Sequence, residues 1–521
     1  MMRKFENHVQ EMKYEVLKEV SRAAFQGNLE EAIPSIPFRT DPGPSPRIRC
    51  CIHKERVITM DRIRLALGGD KKNPNIIEVI DEACDECTIN RFIITEACRG
   101  CLAHRCTGAC PVNAISIIGF KAVIDQEKCI ECGKCKESCP YNAVADVMRP
   151  CRRACEVGAL SIDEQKKAVI DEEKCIRCGA CVYQCPFGAI MDKSSINDVI
   201  KILKESKVSK TSQNANEPTK SKNGNKEMKV YAIIAPSISS QFTYASIGQV
   251  IGGIKTLGFH DVIEVALGAD MVALEEAREY RKVVGDIGTM TSSCCPAFVD
   301  HVYKVYPELK KHLSSLVSPM IAISRLIKSM DPEGKVVFVG PCTAKKEEIQ
   351  KKDLKGATDF VLTFEELAAM LDSQDIALDQ LEESPLDNAS FYGRIFARSG
   401  GLTKALGKLL EEEPGESPFN PITCDGILEC DKALKRLKFR RLEHNFIEGM
   451  ACKGGCIGGA ASLSHGPKDK SAVDKYGKMA LEPNQQESLR VFDLQSVEYH
   501  RDHQINAAQS ILKDAVSVNT E

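Results

Sequence analysis

Cysteines in three separated segments have the spacing to hold one iron–sulfur cluster. The segments span residues 291–299, 340–348 and 448–459. The adjacent thiols Cys294 and Cys295 cannot both reach one metal site without strain, so we expect one ligand and one free thiol. The other two segments supply the remaining ligands. The four candidate ligands, enough for one [4Fe–4S] cluster, are Cys295, Cys342, Cys452 and Cys456.

The three segments resemble, in order and spacing, the three signature motifs of the [FeFe]-hydrogenases across residues 229–465. The first motif reads Cys-Cys-Pro-Ala-Phe, as in one monomeric group of that family. There, a [4Fe–4S] cube shares one cysteine with a di-iron unit carrying CO, cyanide and an aminodithiolate bridge, together called the H-cluster. The resemblance implies that Cys456 is the shared ligand and that the chain interconverts protons and H2.

The same resemblance gives roles to residues around the cluster. Cys294 matches the thiol that passes protons to the bridging amine, and Lys345 matches a lysine that hydrogen-bonds an iron-bound cyanide. Met450 matches the methionine beside the bridging ligands. Pro236 and Ser237 match residues that line the second cyanide.

A proton path from Cys294 to the surface is also implied by the resemblance, through Glu276 and Ser314 to Glu279. The two glutamates are three residues apart, so a helix would place them on one face. A solvated helix face is the alternative interpretation of such a pair, and it stays open. Removing either glutamate is expected to slow turnover without loss of iron.

The chain departs from the common family pattern beside the cluster. Gly340 stands where many members have methionine, Ala297 and Phe298 replace Gly-Trp, and Ala460 stands where a third glycine is common. Residues around a metal site tune its potential and proton affinity. These departures therefore leave the rate and direction of catalysis open.

Residues 84–185 carry a second set of cysteines that resembles paired bacterial ferredoxin motifs. In such pairs the fourth cysteine of each motif ligates the cluster of the other motif. By this rule cluster one takes Cys98, Cys101, Cys106 and Cys139. Cluster two takes Cys129, Cys132, Cys135 and Cys110.

A further pair of motifs is degenerate. The crossing rule gives cluster three the ligands Cys175, Cys178, Cys181 and Cys155. It leaves two cysteines short of ligands, and an unassigned Cys-x2-Cys completes cluster four as Cys84, Cys87, Cys151 and Cys185. A pair of structural thiols without metal is the alternative for this last set. Ordinary thiols are expected at Cys50, Cys51, Cys424 and Cys430.

The elements that must position these residues fall into five predicted regions. They are an N-terminal helical region (1–80), tandem ferredoxin-like α+β modules (81–200), a flexible linker (206–227), a catalytic domain (229–465) and a C-terminal segment without motifs (466–521). The linker is predicted because its residues are polar and low in complexity.

The catalytic region is predicted to be an α/β domain. Short apolar runs at 230–234 and 336–339 end at Pro or Gly-Pro and alternate with helical segments such as 271–280 and 313–330. A capping box at Thr363 opens another helix. Loops after the ends of parallel strands are where such folds carry their sites.

The composition limits the remaining possibilities. A net charge of −3 argues against a nucleic-acid partner. No apolar run approaches the length of a membrane span and no signal peptide is recognisable, so a cytoplasmic protein without a membrane partner is expected. In a reducing compartment, 25 cysteines indicate metal binding rather than disulfides.

The leading interpretation is a ferredoxin-dependent [FeFe]-hydrogenase in which four accessory [4Fe–4S] clusters feed an H-cluster. The resemblance implies two kinds of partner, a soluble ferredoxin and the maturation proteins that build the di-iron unit; the oligomeric state stays open. One alternative is an iron–sulfur assembly protein of the same fold without the di-iron unit, and another is an H2 sensor. Cys294, Lys345 and the long relay favour the enzyme, and no output domain supports the sensor.

Overall fold

The computed structural model describes residues 5–213, 228–413 and 418–501. Its first part is helical. The longest helix there is capped by the Asn7 side chain, which accepts from the Gln10 N–H, and it ends at Gly27 in the left-handed conformation (φ 79°) that favours glycine. The helices are α1 (His8–Gln26), α2 (Leu29–Ala32), α3 (Ile36–Thr40) and α4 (Ile52–Ala66).

Short strands and helices follow in the region rich in cysteine. They are β1 (Ile77–Val79), β2 (Phe92–Ile94), α5 (Arg105–Gly108), β3 (Ile115–Ile118), β4 (Lys121–Ile124), α6 (Lys134–Ser138), β5 (Val144–Asp146), α7 (Pro150–Ala154), β6 (Leu160–Ile162), β7 (Ala168–Ile170), α8 (Ala180–Gln184) and β8 (Ile190–Asp192). Strand β1 pairs with β8, and β2 pairs with β5, all antiparallel. Strands β3 and β4 form one hairpin, and β6 and β7 form another.

Along the chain, both strands of one two-stranded sheet (β2 and β5) lie between the two strands of the other (β1 and β8). The modules are therefore nested in sequence and not in the predicted tandem order. Strand β1 begins at Ile77, ahead of the predicted boundary at 81, and its partner β8 lies beyond the whole β2–β5 unit. Strand pairing over more than 100 residues is decided by tertiary contacts, so the local cysteine spacing did not reveal it.

Helix α9 (Ile196–Gln213) leads out of this region. It continues through residues 206–213, where a flexible linker was predicted, and that part of the prediction is wrong. Ile196, Val199, Ile200 and Leu203 are buried in the core and anchor the helix, so the polar residues that follow only extend it. Residues 214–227 of the predicted linker lie outside the described residues.

The catalytic region alternates strands and helices. They are β9 (Val230–Ile234), α10 (Ile247–Leu257), β10 (Asp261–Glu264), α11 (Val265–Ile287), β11 (Met290–Thr291), α12 (Pro296–Val305), α13 (Pro319–Met330), β12 (Lys335–Gly340), α14 (Ala344–Glu348), β13 (Phe360–Thr363), α15 (Phe364–Ser373), α16 (Phe391–Ile395), α17 (Gly401–Glu412), β14 (Pro421–Asp425), α18 (Ile427–Lys438) and β15 (Phe446–Met450).

Two parallel sheets organise this region. One has the strand order β10-β9-β12-β13, and the other has the order β11-β15-β14. The apolar runs predicted as strands form β9 and β12, and both are almost wholly buried. The capping box at Thr363 is present at the start of α15. The α/β class of the catalytic region is therefore confirmed.

The helix predicted over 313–330 is shorter than expected. Helix α13 begins at Pro319, and Ser318 before it is extended (ψ 159°) because a residue that precedes proline avoids the α conformation. Leu313 instead forms a parallel bridge with Thr291 at the end of β11. Residues 313–318 thus run beside the first cysteine segment.

The last described segment packs on the catalytic region through α19 (Asp469–Gly477) and α20 (Gln485–Leu489). The Tyr476 hydroxyl donates to Glu264 over 2.6 Å, and the Ser488 hydroxyl donates to Asp270 over 2.9 Å. Within the described ranges, every helix is too short or too polar to cross a bilayer.

Candidate metal centre

The ends of four strands meet at one cavity. Strands β9, β11, β12 and β15 all finish there, at the sheet edge where α/β folds carry their sites. The cavity has a volume of about 90 Å³, and Met320, Phe338 and Phe396 contribute apolar walls. All five cysteines of the three segments line it, namely Cys294, Cys295, Cys342, Cys452 and Cys456. We call this space the cluster cavity.

The candidate cube ligands share the cluster cavity and raise one another's pKa values. Burial, followed by the charge of Cys295, raises the pKa of Cys342 to about 11. Burial, followed by Cys342 and Cys295, raises the pKa of Cys456 to about 12. Thiolates are the form that binds metal, so several can share this space only when cationic iron compensates them. The donor set therefore fits an iron–sulfur cube.

The pair Cys294–Cys295 is held by its neighbours on both sides. The Ser293 hydroxyl donates to the Leu316 carbonyl over 2.7 Å, and the Ser292 hydroxyl accepts from the Gly449 N–H over 3.0 Å. Burial, followed by the Glu276 and Cys295 charges, raises the pKa of Cys294 well above its ordinary value. Cys294 is therefore a protonated thiol at neutral pH.

Lys345 is the cation of the cluster cavity. It follows Cys342 by three residues, lines the cavity, and donates to Glu348 over 2.7 Å. Glu348 is fully buried and also accepts from the Ser318 hydroxyl over 3.1 Å. An ammonium fixed in this way can donate to an anionic ligand in the cavity.

The other residues matched to the di-iron unit lie on the same side. Met450 and Pro236 line the cluster cavity. Ser237 is not part of its lining, but its side chain is fully buried and its hydroxyl has no hydrogen-bond partner within the described ranges. A buried donor without a partner is costly, and an acceptor on a bound cofactor would satisfy it. These residues also fit the implied group.

The predicted relay residues are brought together. The charge of Glu276 acts on Cys294, and the Glu276 side chain is fully buried, with no hydrogen-bond partner for either carboxyl oxygen among the described residues. Burial, followed by the Glu279 and Glu448 charges, raises the pKa of Glu276 well above its ordinary value. Ser314 lies beside Glu276 but gives its single hydroxyl proton to Glu279, over 2.6 Å. Glu276 is not on a solvated helix face, which removes that alternative for it.

Glu448 is the first residue of the third cysteine segment, and no role was predicted for it. Its buried carboxylate accepts from the Gly400 N–H and the Thr403 N–H, each over 2.8 Å, and so caps α17. Burial raises its pKa, and its charge is felt at Cys294 and Glu276. An acidic residue inside a strand that is otherwise apolar was the available signal.

Clusters one and two have their predicted ligands together. Cys110, Cys129, Cys132 and Cys135 line one small apolar pocket. Burial, followed by the charges of Cys139 and Cys101, raises the pKa of Cys106. The fourth member, Cys98, packs in the same apolar cluster as Cys106 and Cys139.

The predicted ligands of clusters three and four also lie near one another. Burial, followed by Cys185, Cys84 and Cys87, raises the pKa of Cys151 to about 11. Burial raises the pKa of Cys181 well above its ordinary value, and the contributing neighbours are Cys178, Cys175, Cys155 and Cys151. The Cys84–Cys87 pair therefore lies beside Cys151 and Cys185.

Backbone N–H groups donate to cysteine sulfurs in a repeating pattern. Four cysteine sulfurs each accept a hydrogen bond from the backbone N–H of the alanine four residues later, over 3.1–3.4 Å. The pairs are Ala114–Cys110, Ala143–Cys139, Ala159–Cys155 and Ala189–Cys185. Ala122 donates to Cys98, and Ala168 donates to Cys84, both over 3.4 Å. Cys84 thus occupies the position in the outer sheet unit that Cys98 occupies in the inner one.

The described cysteine groups are not arranged as a site for a single metal ion. Within the described ranges, no three His, Cys, Asp or Glu side chains converge closely enough for one ion. A cube differs because each of its cysteines binds a different iron, so the sulfurs stand apart around it.

Two parts of this chain match known protein families. Residues 228–460 match the family model for the iron only hydrogenase large subunit, C-terminal domain. Residues 122–145 and 168–191 each match the 4Fe-4S binding domain. The cluster cavity thus lies within the part of the chain that matches this family model, and two of the accessory cysteine motifs, residues 129–139 and 175–185, lie within the 4Fe-4S matches.

Curated relatives include two kinds of protein. Iron hydrogenase 1 of Clostridium pasteurianum is 30% identical over 316 residues, which are 50% of this chain and 55% of that protein. Cytosolic iron-sulfur assembly component 3 of Bos taurus is 24% identical over 44% of this chain and 58% of its own length. The chain thus spans little more than half the length of these relatives. A solved [FeFe]-hydrogenase from Chlamydomonas reinhardtii is 18% identical, covers 58% of this chain and 98% of its own, and has a TM-score of 0.44.

The region that matches the hydrogenase model contacts the accessory region next to the predicted ligands of cluster three. Cys342 contributes to the raised pKa of Cys178, after burial, and Cys178 likewise affects Cys452. The Thr343 hydroxyl donates to the Arg177 carbonyl over 2.8 Å. A Cβ on Gly179 (φ 77°) would lie 2.6 Å from that hydroxyl, so this approach requires glycine.

The departures of the hydrogenase domain from the family pattern have packing partners. A Cβ on Gly340 would lie 2.4 Å from the Phe338 ring, so Phe338 fills the space that a longer side chain would need. Phe298 is fully buried against Gly449, where a Cβ would lie 2.5 Å from its ring. The methyl group of Ala460 lies 2.8 Å from the Cβ position of Gly179.

Proposed function

We propose that this chain is an [FeFe]-hydrogenase that reversibly reduces protons to H2 with electrons from a soluble ferredoxin. The observation that carries the proposal is the fifth thiol. Cys294 shares the cluster cavity with four candidate ligands and feels the charge of the buried Glu276, which in turn interacts with Ser314 and Glu279. A cube alone needs neither a fifth thiol nor a chain of carboxyl groups.

The cube would be held by Cys295, Cys342, Cys452 and Cys456. Cys456 would also bind the di-iron unit, with its CO, cyanide and aminodithiolate ligands. When bound, the H-cluster supplies the metal centre at which protons and electrons combine. Lys345 and Ser237 would donate to its cyanide ligands, with Pro236 and Met450 packed beside them. Charge-assisted donors are the stronger ones in an apolar site.

The chain's own residues move the protons. Burial raises the pKa of both Cys294 and Glu276, which favours the protonated form that each needs to give a proton away. The Cys294 Sγ proton is given into the cavity and replaced from Glu276. Glu276 recovers a proton from Glu279 by way of the Ser314 Oγ, which hydrogen-bonds Glu279. Protonation of these two groups would avoid the cost of an uncompensated buried ion along the path.

Electrons would reach the cube through four accessory [4Fe–4S] clusters. We infer two ferredoxin-like units, the second interrupted by the first. The neighbours Cys151 and Cys181 support a step from cluster four to cluster three. The neighbours Cys178 and Cys342 support the last step to the cube. Maturation proteins would supply the di-iron unit.

A second candidate is an iron–sulfur assembly protein. The similarity to the bovine assembly component, 24% identical over 44% of this chain, favours it. That role would use the cube without the di-iron unit. It would give the chain no use for Cys294 or for the relay.

Infrared spectroscopy of anaerobically matured protein separates the two candidates. The hydrogenase is expected to show bands of metal-bound CO and cyanide and to produce H2 from reduced ferredoxin. Cys294→Ala should keep the bands and the cube but lose at least about 10²-fold of the H2 production, because its proton donor is gone. Cys50→Ala, at an exposed thiol, is the matched control. An intact cube without these bands would favour the assembly role.

A further inference from the structure

The hydrogen-bonded relay does not stop at Glu279. The Ser315 hydroxyl donates to Glu279 over 2.6 Å, and the Ser315 N–H donates to the same carboxylate over 2.9 Å. The Ser315 Oγ also lies 2.7 Å from the Nδ1 of His500. The relay therefore has a second hydroxyl beyond Glu279 and an imidazole beyond that.

His500 belongs to the last described segment, outside the part of the chain that matches the hydrogenase family model. A backbone ladder holds it in place. His500 forms an antiparallel bridge with Leu316, the Val317 N–H donates to Tyr499 over 2.8 Å, and the Arg501 N–H donates to Ser315 over 3.0 Å. The residue itself is exposed. One ring nitrogen is thus fixed on the relay while the ring keeps contact with water.

We propose that His500 is the outer proton carrier of this chain, collecting protons from solvent and delivering them through Ser315 to Glu279. The proposal rests on the proposed hydrogenase function. Imidazole is the side chain whose protonation changes most readily near neutral pH, so it suits exchange with water. The C-terminal segment then supplies the outermost residue of the proton path, in addition to packing on the catalytic region.

The step balances without any electron transfer. A hydronium ion, or a buffer acid, protonates Nε2 of the Nδ1–H tautomer, leaves as water or as its conjugate base, and gives the imidazolium. The Nδ1 proton moves to Ser315 Oγ while the Ser315 hydroxyl proton moves to the Glu279 carboxylate, leaving a neutral imidazole and a neutral carboxylic acid. Rotation of the exposed ring, or exchange with water, restores the first tautomer. The reverse sequence releases protons during H2 oxidation.

Charged groups from each neighbouring element face this end of the path. They are Glu275, Arg278 and Glu279 on α11, Arg325 on α13, and Glu498 and Arg501 beside His500 in the chain. Arg325 donates to the His500 carbonyl and holds the backbone. The Glu279 carboxylate is the one joined to the ring by a hydroxyl.

Activity at low buffer concentration is the first test. His500→Gln, which keeps a hydrogen-bonding side chain, and His500→Ala are expected to lose roughly tenfold in H2 production. This is less than a buried proton donor contributes, because water partly replaces an exposed group. Added imidazole should restore His500→Ala but not Glu279→Gln. His8→Gln, at an exposed histidine elsewhere, should match the unaltered protein. Full activity of both His500 variants at low buffer, with an unchanged pH profile, would overturn the proposal.

A second test needs no di-iron unit. In protein carrying only its cubes, Glu279→Gln should change the NMR chemical shifts of the His500 ring, because the Ser315 hydroxyl contacts both the carboxylate and the ring. The ring signals of His8 should not move. Unchanged His500 ring signals would overturn the proposal even in an active enzyme. Absence of CO and cyanide bands in matured protein would instead count against the hydrogenase function, and the NMR comparison would still decide whether His500 is linked to Glu279.

Discussion

Lys346 in α14 places its ammonium 2.7 Å from the Asp192 carboxylate at the end of β8 and 3.0 Å from Glu366. The same ammonium donates to the Lys193 carbonyl over 2.7 Å. Lys346 follows Cys342 by four residues, and β8 carries the end of the accessory region. This buried ion pair therefore fixes the accessory clusters relative to the cluster cavity.

Lys346→Met is expected to destabilise the protein by about 3–5 kcal/mol, because it leaves two buried carboxylates without their cation. Anaerobic denaturation with urea measures the change in the free energy of unfolding. Lys352→Met, at an exposed lysine on the same segment, should change it by no more than about 0.5 kcal/mol. A loss below about 1 kcal/mol at Lys346 would contradict a structural role for the pair.

The same contact predicts a dependence on acid pH. Burial tends to raise the pKa of Asp192, but the Lys346 and Lys13 charges outweigh it and hold that pKa below its ordinary value. A carboxylate with a lowered pKa contributes stability above its unfolded pKa of about 3.9, and the contribution is lost as the pH falls through the folded value. The unaltered protein should therefore lose its advantage over Asp192→Asn below about pH 4, as measured by denaturation at a series of pH values. Parallel stability curves would argue against this.

Glu276→Gln should separate stability from turnover. Because the pKa of Glu276 is raised, the folded protein holds this proton more tightly than the unfolded chain does, and its stability falls as the pH rises above about 4.3. Glutamine has no such slope, so the variant should gain stability relative to the unaltered protein by up to about 1.4 kcal/mol per pH unit. H2 production should fall by about 10²-fold or more with iron retained.

Asp286→Asn, at an exposed carboxylate on the same helix, is the matched control for Glu276→Gln and should change neither quantity. Thermal unfolding between pH 5 and 8 and H2 assays on the same preparations are the measurements. A Glu276 variant with full turnover would remove this residue from the proton path.

Iron analysis tests the fourth accessory cluster. Cys84→Ser and Cys151→Ser should each lower the iron content by about four atoms per chain, because both remove a ligand of the same cube. The double variant should lose no more iron than either single one. Cys155→Ser should remove cluster three instead, and Cys50→Ser should remove none. Unchanged iron in Cys84→Ser would support structural thiols at that position.

Glu448 is expected to be a stability determinant. Glu448→Ala leaves the Gly400 and Thr403 N–H groups at the start of α17 without an acceptor, at a cost of about 1–3 kcal/mol. Glu448→Gln keeps an acceptor and should cost less. Thermal unfolding compares the two variants, with Glu412→Ala at the other end of α17 as control. Equal losses for alanine and glutamine would contradict the capping role.

Much of the site could be predicted from the sequence because its residues belong to motifs with a characteristic local spacing. Cysteine motifs and the apolar runs of β9 and β12 are short-range signals, and so is the capping box at Thr363. The nested strand order could not be predicted, since β1 and β8 are joined only by tertiary pairing. Glu448 and His500 were missed for the same reason, because their partners lie 45 and 185 residues away in the chain.

Two errors had local causes. The linker prediction relied on polar composition, but four buried residues at the start of α9 extend the helix through residue 213. The helix expected from residue 313 starts at Pro319, because proline restricts the residue before it and Leu313 pairs with Thr291 instead. In both cases a few specific residues, and not the average propensity of the segment, decide where the helix begins or ends.

The enclosure of β2–β5 within β1–β8 bears on how such a chain acquires cofactors. The two ends of the inner unit are side by side, since the Val147 N–H donates to the Arg91 carbonyl over 2.7 Å. A stretch whose ends meet can be gained or deleted whole without moving what surrounds it. A chain without this insert would lose together the eight cysteines predicted to hold clusters one and two, and would keep those of the cluster cavity.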